Sequence, residues 1–366
     1  MRIDSIELFR VPLECSESDG AIDSVFVVMR SGGEFGTGEM RLGRAPRDCV
    51  EWSTGVFACL RDWLAPALVG KTINRGEQLQ EALRQFQGNS RAKSALDIAW
   101  WDLAATKQKK PLYQLLGGNN NPIPLSATIG VQNSLDDLFV RIGEAFQFGH
   151  DHVTLKFRPG WDLEMLRAVR QVFPAEPIAI DCGGLCTLGQ QEMFYRLEDF
   201  FLKYIEQPLS ADDLVGHAML QQSIRTPIML HESISSIERL EQAIDLGSCR
   251  QVRIDLGNVG GLTPALAIAQ ACGYAKIPWA TGGGPQNGVA AQATAALATL
   301  SNLSLPDEAY GWVHTPWMLF DSTTLAELNG AGKYSVRLPN DIPGCCIILD
   351  LQILADMRNA EHTVVS

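Results

Sequence analysis

The chain has 366 residues, 46% of them apolar and 20% charged, with a formal charge of −12. That composition supports a large core and excludes a disordered chain; the length exceeds one ordinary domain and suits a barrel of roughly 250 residues beside a smaller unit. The acidic balance excludes nucleic acid and acidic membrane surfaces as partners, because the longest basic run, Lys107–Lys110, belongs to a helix end where cations are favoured anyway. No apolar run approaches the ~18 residues of a membrane span, and no charged-then-apolar leader pattern opens the chain. Nine cysteines without such a leader are expected to be reduced thiols in a cytoplasmic setting.

In chain order, Met1–Val11 and Ser24–Met29 alternate or run apolar as strands do, and Gly36-Thr-Gly-Glu39 reads as a turn. Helical patterns follow at Val56–Leu68, Ile73–Gln85 and Ala92–Gln108. The breaker cluster Gly117-Gly-Asn-Asn-Asn-Pro122 ends this α+β unit, which is assigned residues 1–120. Beyond it a rhythm sets in. Lys156, Asp181, Glu206, His231, Asp255 and Thr281 each close a short apolar strand-like segment, at intervals of 25, 25, 25, 24 and 26. Helical stretches such as Leu163–Phe173, Ala211–Ser223, Ile237–Leu246 and Leu262–Cys272 lie between them. Alternating strand and helix at a fixed period predicts parallel strands joined by crossovers, hence an α/β barrel over residues 121–306 whose chemistry sits at the C-terminal strand ends. The tail, 307–366, carries strand-like pieces at Tyr334–Leu338 and Cys346–Leu349 and is expected to return to the first unit.

The strand ends are the candidate site. Thr154, Lys156 and Arg158 alternate onto one face. A lysine confined in a barrel mouth loses hydration and can serve as a base near neutral pH; alone on a strand end it would simply reach solvent. Asp181 and Glu206 end adjacent strands, where two carboxylates repel unless a proton or cation lies between them. They suit a hard divalent ion, or ordinary ion pairs with Lys156 or Arg158. Cys182 and Cys186 follow Asp181 and read as buried thiols rather than nucleophiles. The glycine-rich loops Gly257–Gly261 and Thr281–Gly288 match no phosphate loop; the second is expected to line a substrate pocket through Gly283, Gln286 and Asn287.

Lys156-Phe-Arg-Pro-Gly-Trp-Asp162, Ala179-Ile-Asp181, Ile205-Glu-Gln-Pro208, Glu232-Ser233 and Val259-Gly-Gly261 resemble the enolase superfamily. Within it they are similar to the muconate-lactonizing-enzyme subgroup, beside o-succinylbenzoate synthases and N-succinylamino acid racemases. In the first unit, Ala95-Leu-Asp-Ile-Ala-Trp-Trp-Asp102 and Pro111-Leu-Tyr-Gln-Leu-Leu-Gly-Gly118 carry the same resemblance. It implies a modified TIM barrel, (β/α)7β, with an α+β capping domain built from the N-terminal region and the C-terminal tail. It also implies a homo-oligomer, a small carboxylate substrate, and proton abstraction beside that carboxylate with Mg2+ stabilising the enediolate. Carried over by position, the second lysine of the family's Lys-x-Lys is Lys156, while the first is Thr154. Two metal ligands are Asp181 and Glu206, and the third, aspartate in the family, is His231. The sixth-strand lysine is Asp255, the asparagine after the first ligand is Gly183, and the glutamate after the seventh strand is Gln286. The segment Leu13–Ala21 is short where the family uses a covering loop, which implies altered specificity or a more open mouth.

Three readings follow from these substitutions. In the first, Asp181, Glu206 and His231 hold a divalent metal, Mg2+ by resemblance or Mn2+ or Zn2+ because of the imidazole. Lys156 is then general base and acid, Asp255 positions or shares protons, and elimination (a lyase reaction) is favoured over racemisation, which wants a base on each face. In the second, the site is metal-free: His231 and Asp255 form a base–orienter pair of a hydrolase or isomerase, with Lys156 and Arg158 holding an anionic substrate. In the third the chain is a non-catalytic binding protein.

Overall fold

The computed structural model describes residues 1–13, 22–47, 49–282, 288–308, 320–322, 325–328, 334–349, 351–356 and 360–366. Strands β1 (Ser5–Leu13), β2 (Ile22–Ser31) and β3 (Glu34–Gly43) form an antiparallel meander. Val25–Met29 of β2 are wholly buried, on both faces of the strand. Helices α1 (Ser53–Cys59), α2 (Gly76–Leu83), α3 (Ser90–Lys107) and α4 (Leu112–Leu115) follow, and a π-turn over Leu60–Leu64 extends α1.

The expected turn at Gly36-Thr-Gly-Glu39 is instead the middle of β3, and the reversal lies at Gly32–Gly33, both at positive φ. The glycines at 36 and 38 serve packing. A Cβ on Gly38 would lie 1.9 Å from the Ala95 carbonyl oxygen of α3, and one on Gly36 would lie 2.5 Å from that of Ala99. Strand and helix meet backbone to backbone here, which only glycine allows.

The second unit alternates strand and helix, with a short extra helix after β9: β4 (Ile123–Ile129), α5 (Leu135–Gln147), β5 (Val153–Lys156), α6 (Leu163–Val172), β6 (Ile178–Asp181), α7 (Gln191–Leu197), β7 (Ile205–Glu206), α8 (Leu214–Ser223), β8 (Ile228–Leu230), α9 (Ile237–Leu246), β9 (Gln251–Ile254), α10 (Leu256–Val259), α11 (Leu262–Ala275), β10 (Trp279–Thr281) and α12 (Gly288–Ala298). Serine caps start α5 and α9, where Ser134 and Ser236 hydroxyls accept from Asp137 N and Arg239 N. Helix α8 starts three residues after the expected Ala211, because the Asp213 carboxylate accepts the Gly216 N–H (2.7 Å) and sets the N-cap there.

Strands β4 to β10 pair in parallel and in sequence order, and β11 (Asp307–Glu308) adds in parallel to β4. Ser304 N and Leu305 N donate to the Trp279 carbonyl of β10, closing the circle on that side. The architecture is therefore the expected (β/α)7β barrel with an α+β cap. Of the tail, β12 (Phe320–Ser322) pairs with β15 (Ile347–Leu349), while β13 (Leu325–Leu328) and β14 (Tyr334–Arg337) pair with each other. Strand β14 also adds antiparallel to β4, α13 (Leu351–Asp356) follows, and β16 (Glu361–Val365) joins the first sheet beside β1.

Buried carboxylates fix the cap on the barrel mouth. On α3, Asp97 accepts from Thr263 N (2.9 Å) and Thr263 Oγ1 (2.7 Å) at the start of α11, while Asp102 ties α3 to β3 and the tail by accepting from Thr37 N and Cys345 N (both 2.6 Å). On β3, Glu39 accepts from Val289 N (2.9 Å) at the start of α12 and from the Ser24 hydroxyl. Carboxylates aimed at helix N-termini satisfy orphan N–H groups and oppose the macrodipole.

Candidate active site

Parallel register sets the site. Lys156 pairs with Asp181 and Asp181 with Glu206 along β5–β7, so three strand ends stand in one row. Two residues earlier, the same faces carry Thr154, Ala179, Tyr204, Met229 and Arg253, a layer beneath the mouth. Thr154 belongs to this lower layer: it is buried and its hydroxyl bonds the Tyr204 hydroxyl (2.7 Å), which also meets His152 Nε2 (2.8 Å). Thr154, carried as a candidate substrate-binding residue, spends its hydroxyl on this internal bond. Arg158 is exposed beyond β5, its backbone paired with Trp161 in both directions (3.1 and 2.8 Å). Gly283, Gln286 and Asn287 lie outside the described residues, as do residues 14–21 of the N-terminal loop.

Lys156 is the half-exposed amine of the mouth and donates to Asp181 Oδ2. The other Asp181 oxygen accepts the Gly183 N–H (2.8 Å). Burial pushes the Asp181 carboxyl up to about 6, with Glu206 adding to the shift and Lys156 opposing it.

Glu206 has a partner that the sequence reading did not single out. Arg253, on β9 and only 1% exposed, grips it with Nε to Oε1 (2.8 Å) and Nη2 to Oε2 (2.9 Å). The same guanidinium donates to the Tyr204 hydroxyl (3.2 Å) and the Thr281 carbonyl (3.1 Å). Burial would raise the Glu206 pKa, but Arg253 and then His231 outweigh it and hold the carboxyl well below the usual range. The signal for Arg253 was its place two residues before Asp255: alternation points it into the barrel, where an arginine requires a partner.

His231 follows β8 and lies between two carboxylates, as its sequence position suggested. Nδ1 is 3.1 Å from Glu206 Oε1 and 3.6 Å from Glu232 Oε2, and Nε2 is 3.9 Å from Asp255 Oδ2. Burial pulls the imidazole pKa down, yet Glu232, Glu206 and Asp255 together push it up to about 10, so the ring is a cation at neutral pH. Its backbone is clamped: Gln207 Oε1 accepts from His231 N (3.0 Å) and Ser233 N (3.2 Å), and Asn258 Nδ2 donates to Ile234 O (3.0 Å).

Asp255 does not pair with His231. At 3.9 Å from His231 it makes no hydrogen bond to the ring, so the base–orienter pair is not formed. One oxygen caps α10 by accepting Gly257 N (2.8 Å), and the other meets Arg91 Nη2 (3.4 Å), which reaches down from α3 of the cap. Arg91 could not be found from local sequence, since only the docking of cap on barrel brings it here. Cys182 and Cys186 are buried; the hydrogen bond that the Cys182 thiol donates to Cys186, with burial, pushes the Cys182 thiol well up, and the same bond pulls the Cys186 thiol down.

The expected metal ligands do not fit a divalent ion. Asp181 is engaged by Lys156 and Gly183, Glu206 by Arg253 through both oxygens, and His231 turns Nδ1 to Glu206 (3.1 Å) and Glu232 (3.6 Å). Among the described residues, no group of three or more His, Cys, Asp or Glu side chains is arranged to hold a metal. Nor is any described helix long and apolar enough to cross a membrane.

Residues 10–117 match the family model of the mandelate racemase / muconate lactonizing enzyme N-terminal domain, and residues 140–351 match that of the enolase C-terminal domain-like family. An o-succinylbenzoate synthase from Geobacillus stearothermophilus is 36% identical over 312 residues, covering 85% of this chain and 82% of the relative. An N-succinylamino acid racemase from Thermus thermophilus is 33% identical over 315 residues, covering 84% and 85%. A crystal structure of an enolase-superfamily member from Listeria innocua superposes with a TM-score of 0.87 at 28% identity, over 99% of both chains. With both halves matched and such relatives aligned over most of their length, the chain belongs to the enolase superfamily.

Proposed function

We propose that this enzyme removes a proton beside the carboxylate of a small molecule and expels a leaving group from the neighbouring carbon, a lyase reaction rather than a racemisation. The observation that carries the reading is the asymmetry of the mouth. Lys156 offers one amine with 47% of its side chain exposed, while the position that would supply a second base is Asp255, 5% exposed and tied to Arg91 and Gly257. One base on one face supports elimination, in which the same group can take the α-proton and return it to the departing group. His231, cationic between Glu206 and Asp255, stands where charge developing on the carboxylate oxygens can be met by a fixed positive group. The relatives' names indicate the compounds to try first: N-succinylamino acids and the acids that lead to o-succinylbenzoate.

The test is deuterium uptake at the α-carbon of such acids in D2O, followed by NMR together with product formation. Wild type is expected to exchange the α-proton, and to yield an unsaturated acid from those acids that carry a leaving group on the neighbouring carbon, and Lys156→Met to lose both by about 10²-fold or more. Exchange that survives in Lys156→Met, or D/L interconversion as fast as elimination, would sink the reading. Activity with hydrolysable substrates that depends on His231 would favour the metal-free hydrolase or isomerase instead, and no turnover of any acid would favour a binding protein.

A further inference from the structure

Each of the three carboxylates at the ends of β6, β7 and β9 already has its own cation: Lys156 for Asp181, Arg253 for Glu206 and Arg91 for Asp255. Arg253 stands apart from the other two because it is fully enclosed. Its fork is spent on four partners, the two Glu206 oxygens, the Tyr204 hydroxyl and the Thr281 carbonyl. A guanidinium cannot give up its proton in a protein, and its planar fork matches a carboxylate in bidentate fashion. A divalent ion approaching Glu206 would have to displace that fork and would then face its full charge at close range in a site of low dielectric. The replacement of the family's third acidic ligand by His231 removes a further attraction.

We propose that Arg253 takes the place of a divalent cation on Glu206, so that the mouth of this barrel is closed to the metal its family implies. The cation is built into the chain, anchored from the layer beneath the mouth and delivered by the alternation of β9. This closure concerns metal binding alone and stands or falls independently of the reaction catalysed.

The experiment measures binding of Mn2+ by the loss of its free electron-paramagnetic-resonance signal, with thermal unfolding in Mg2+ as a second readout. Four proteins are compared: wild type, His231→Asp, Arg253→Asn and the double variant. Wild type and His231→Asp are expected to bind no Mn2+ at the site and to show no shift of Tm with Mg2+. The double variant, with the third acid restored and the guanidinium gone, is expected to bind at least about tenfold more Mn2+ at the same free concentration, and Arg253→Asn an intermediate amount. One Mn2+ per chain in wild type or in His231→Asp, lost on Asp181→Asn, would overturn the proposal. A folded double variant that binds none would overturn the role given to Arg253. Should the Arg253 variants fail to fold, His231→Asp alone decides, because it restores the acidic ligand while leaving the guanidinium in place.

Discussion

Two ion pairs of the mouth look alike on paper and differ in weight. Lys156 with Asp181 is half-exposed at the amine, so solvent screens it and its contribution to stability is at most about 1 kcal/mol. Arg253 with Glu206 is enclosed, and removing either partner strands a charge without solvent, at a cost of about 3–5 kcal/mol. We therefore expect Arg253→Met to lower the urea midpoint steeply, while Arg253→Met combined with Glu206→Met, which removes both charges, recovers most of the loss. If the double variant is as unstable as the sum of the singles, the pair is not coupled and the buried-charge account fails. Lys156→Met should leave the midpoint nearly unchanged, so a loss of turnover in that variant reports chemistry rather than unfolding. The identities and order of these strand ends were legible in the sequence because a 25-residue period and a two-residue alternation determine which side chains share the mouth. Of their pairings, only that of Asp181 with Lys156 was among the alternatives the sequence offered. Which of several nearby cations an acid selects depends on reach across the barrel, and for Arg91 on the approach of a helix more than 160 residues away in sequence.

Element by element, the barrel was more readable than the cap. Strands and helices that repeat carry their own confirmation in the period, and α9 falls on the expected Ile237–Leu246. The cap has no period, so each segment rests on local composition. There two glycines two residues apart read as a turn, whereas the cause is the α3 backbone pressed against β3. The close approach makes a sharp prediction. Gly38→Ala would place a methyl 1.9 Å from the Ala95 carbonyl oxygen, a backbone atom that cannot swing aside, and should destabilise the protein by about 3 kcal/mol or more. Gly33→Ala meets nothing within 4 Å and is opposed by its backbone alone, with φ at +87°. Its cost should be about 1–2 kcal/mol. Comparable loss of Tm in the two variants would show that β3 is not packed backbone to backbone on α3.

At the scale of the whole molecule, cap and barrel are joined through carboxylates that burial makes uncomfortable. Burial pushes Glu39 up to about 7, against the hydrogen bonds from Ser24, Ala290 and Val289 and the charge of Arg41, and it pushes Asp97 up to about 6. For an acid whose pKa is higher folded than unfolded, the native state holds a proton that the unfolded state has released. Stability is then greatest below the unfolded pKa, about 4.5 for glutamate, and falls as pH rises through the folded value near 7. The buried histidines His152 and His217, whose pKa values burial lowers, act in the opposite sense below about 6.5, so the total pH profile of the protein mixes signs. A difference between two proteins isolates one group. Glu39→Gln keeps an acceptor for the Val289 N–H and gains a donor for the Ser24 hydroxyl, yet it cannot ionise. Relative to wild type, its unfolding free energy should climb between about pH 4.5 and 7, by on the order of 1–3 kcal/mol, and stay level above that. Urea unfolding at pH 5, 6, 7 and 8 checks this directly. A difference that is flat across the window would mean Glu39 is ionised throughout, held by the start of α12 strongly enough to cancel its burial. A carboxyl held below its unfolded value would leave these four points level as well, because its titration lies below about pH 4.5.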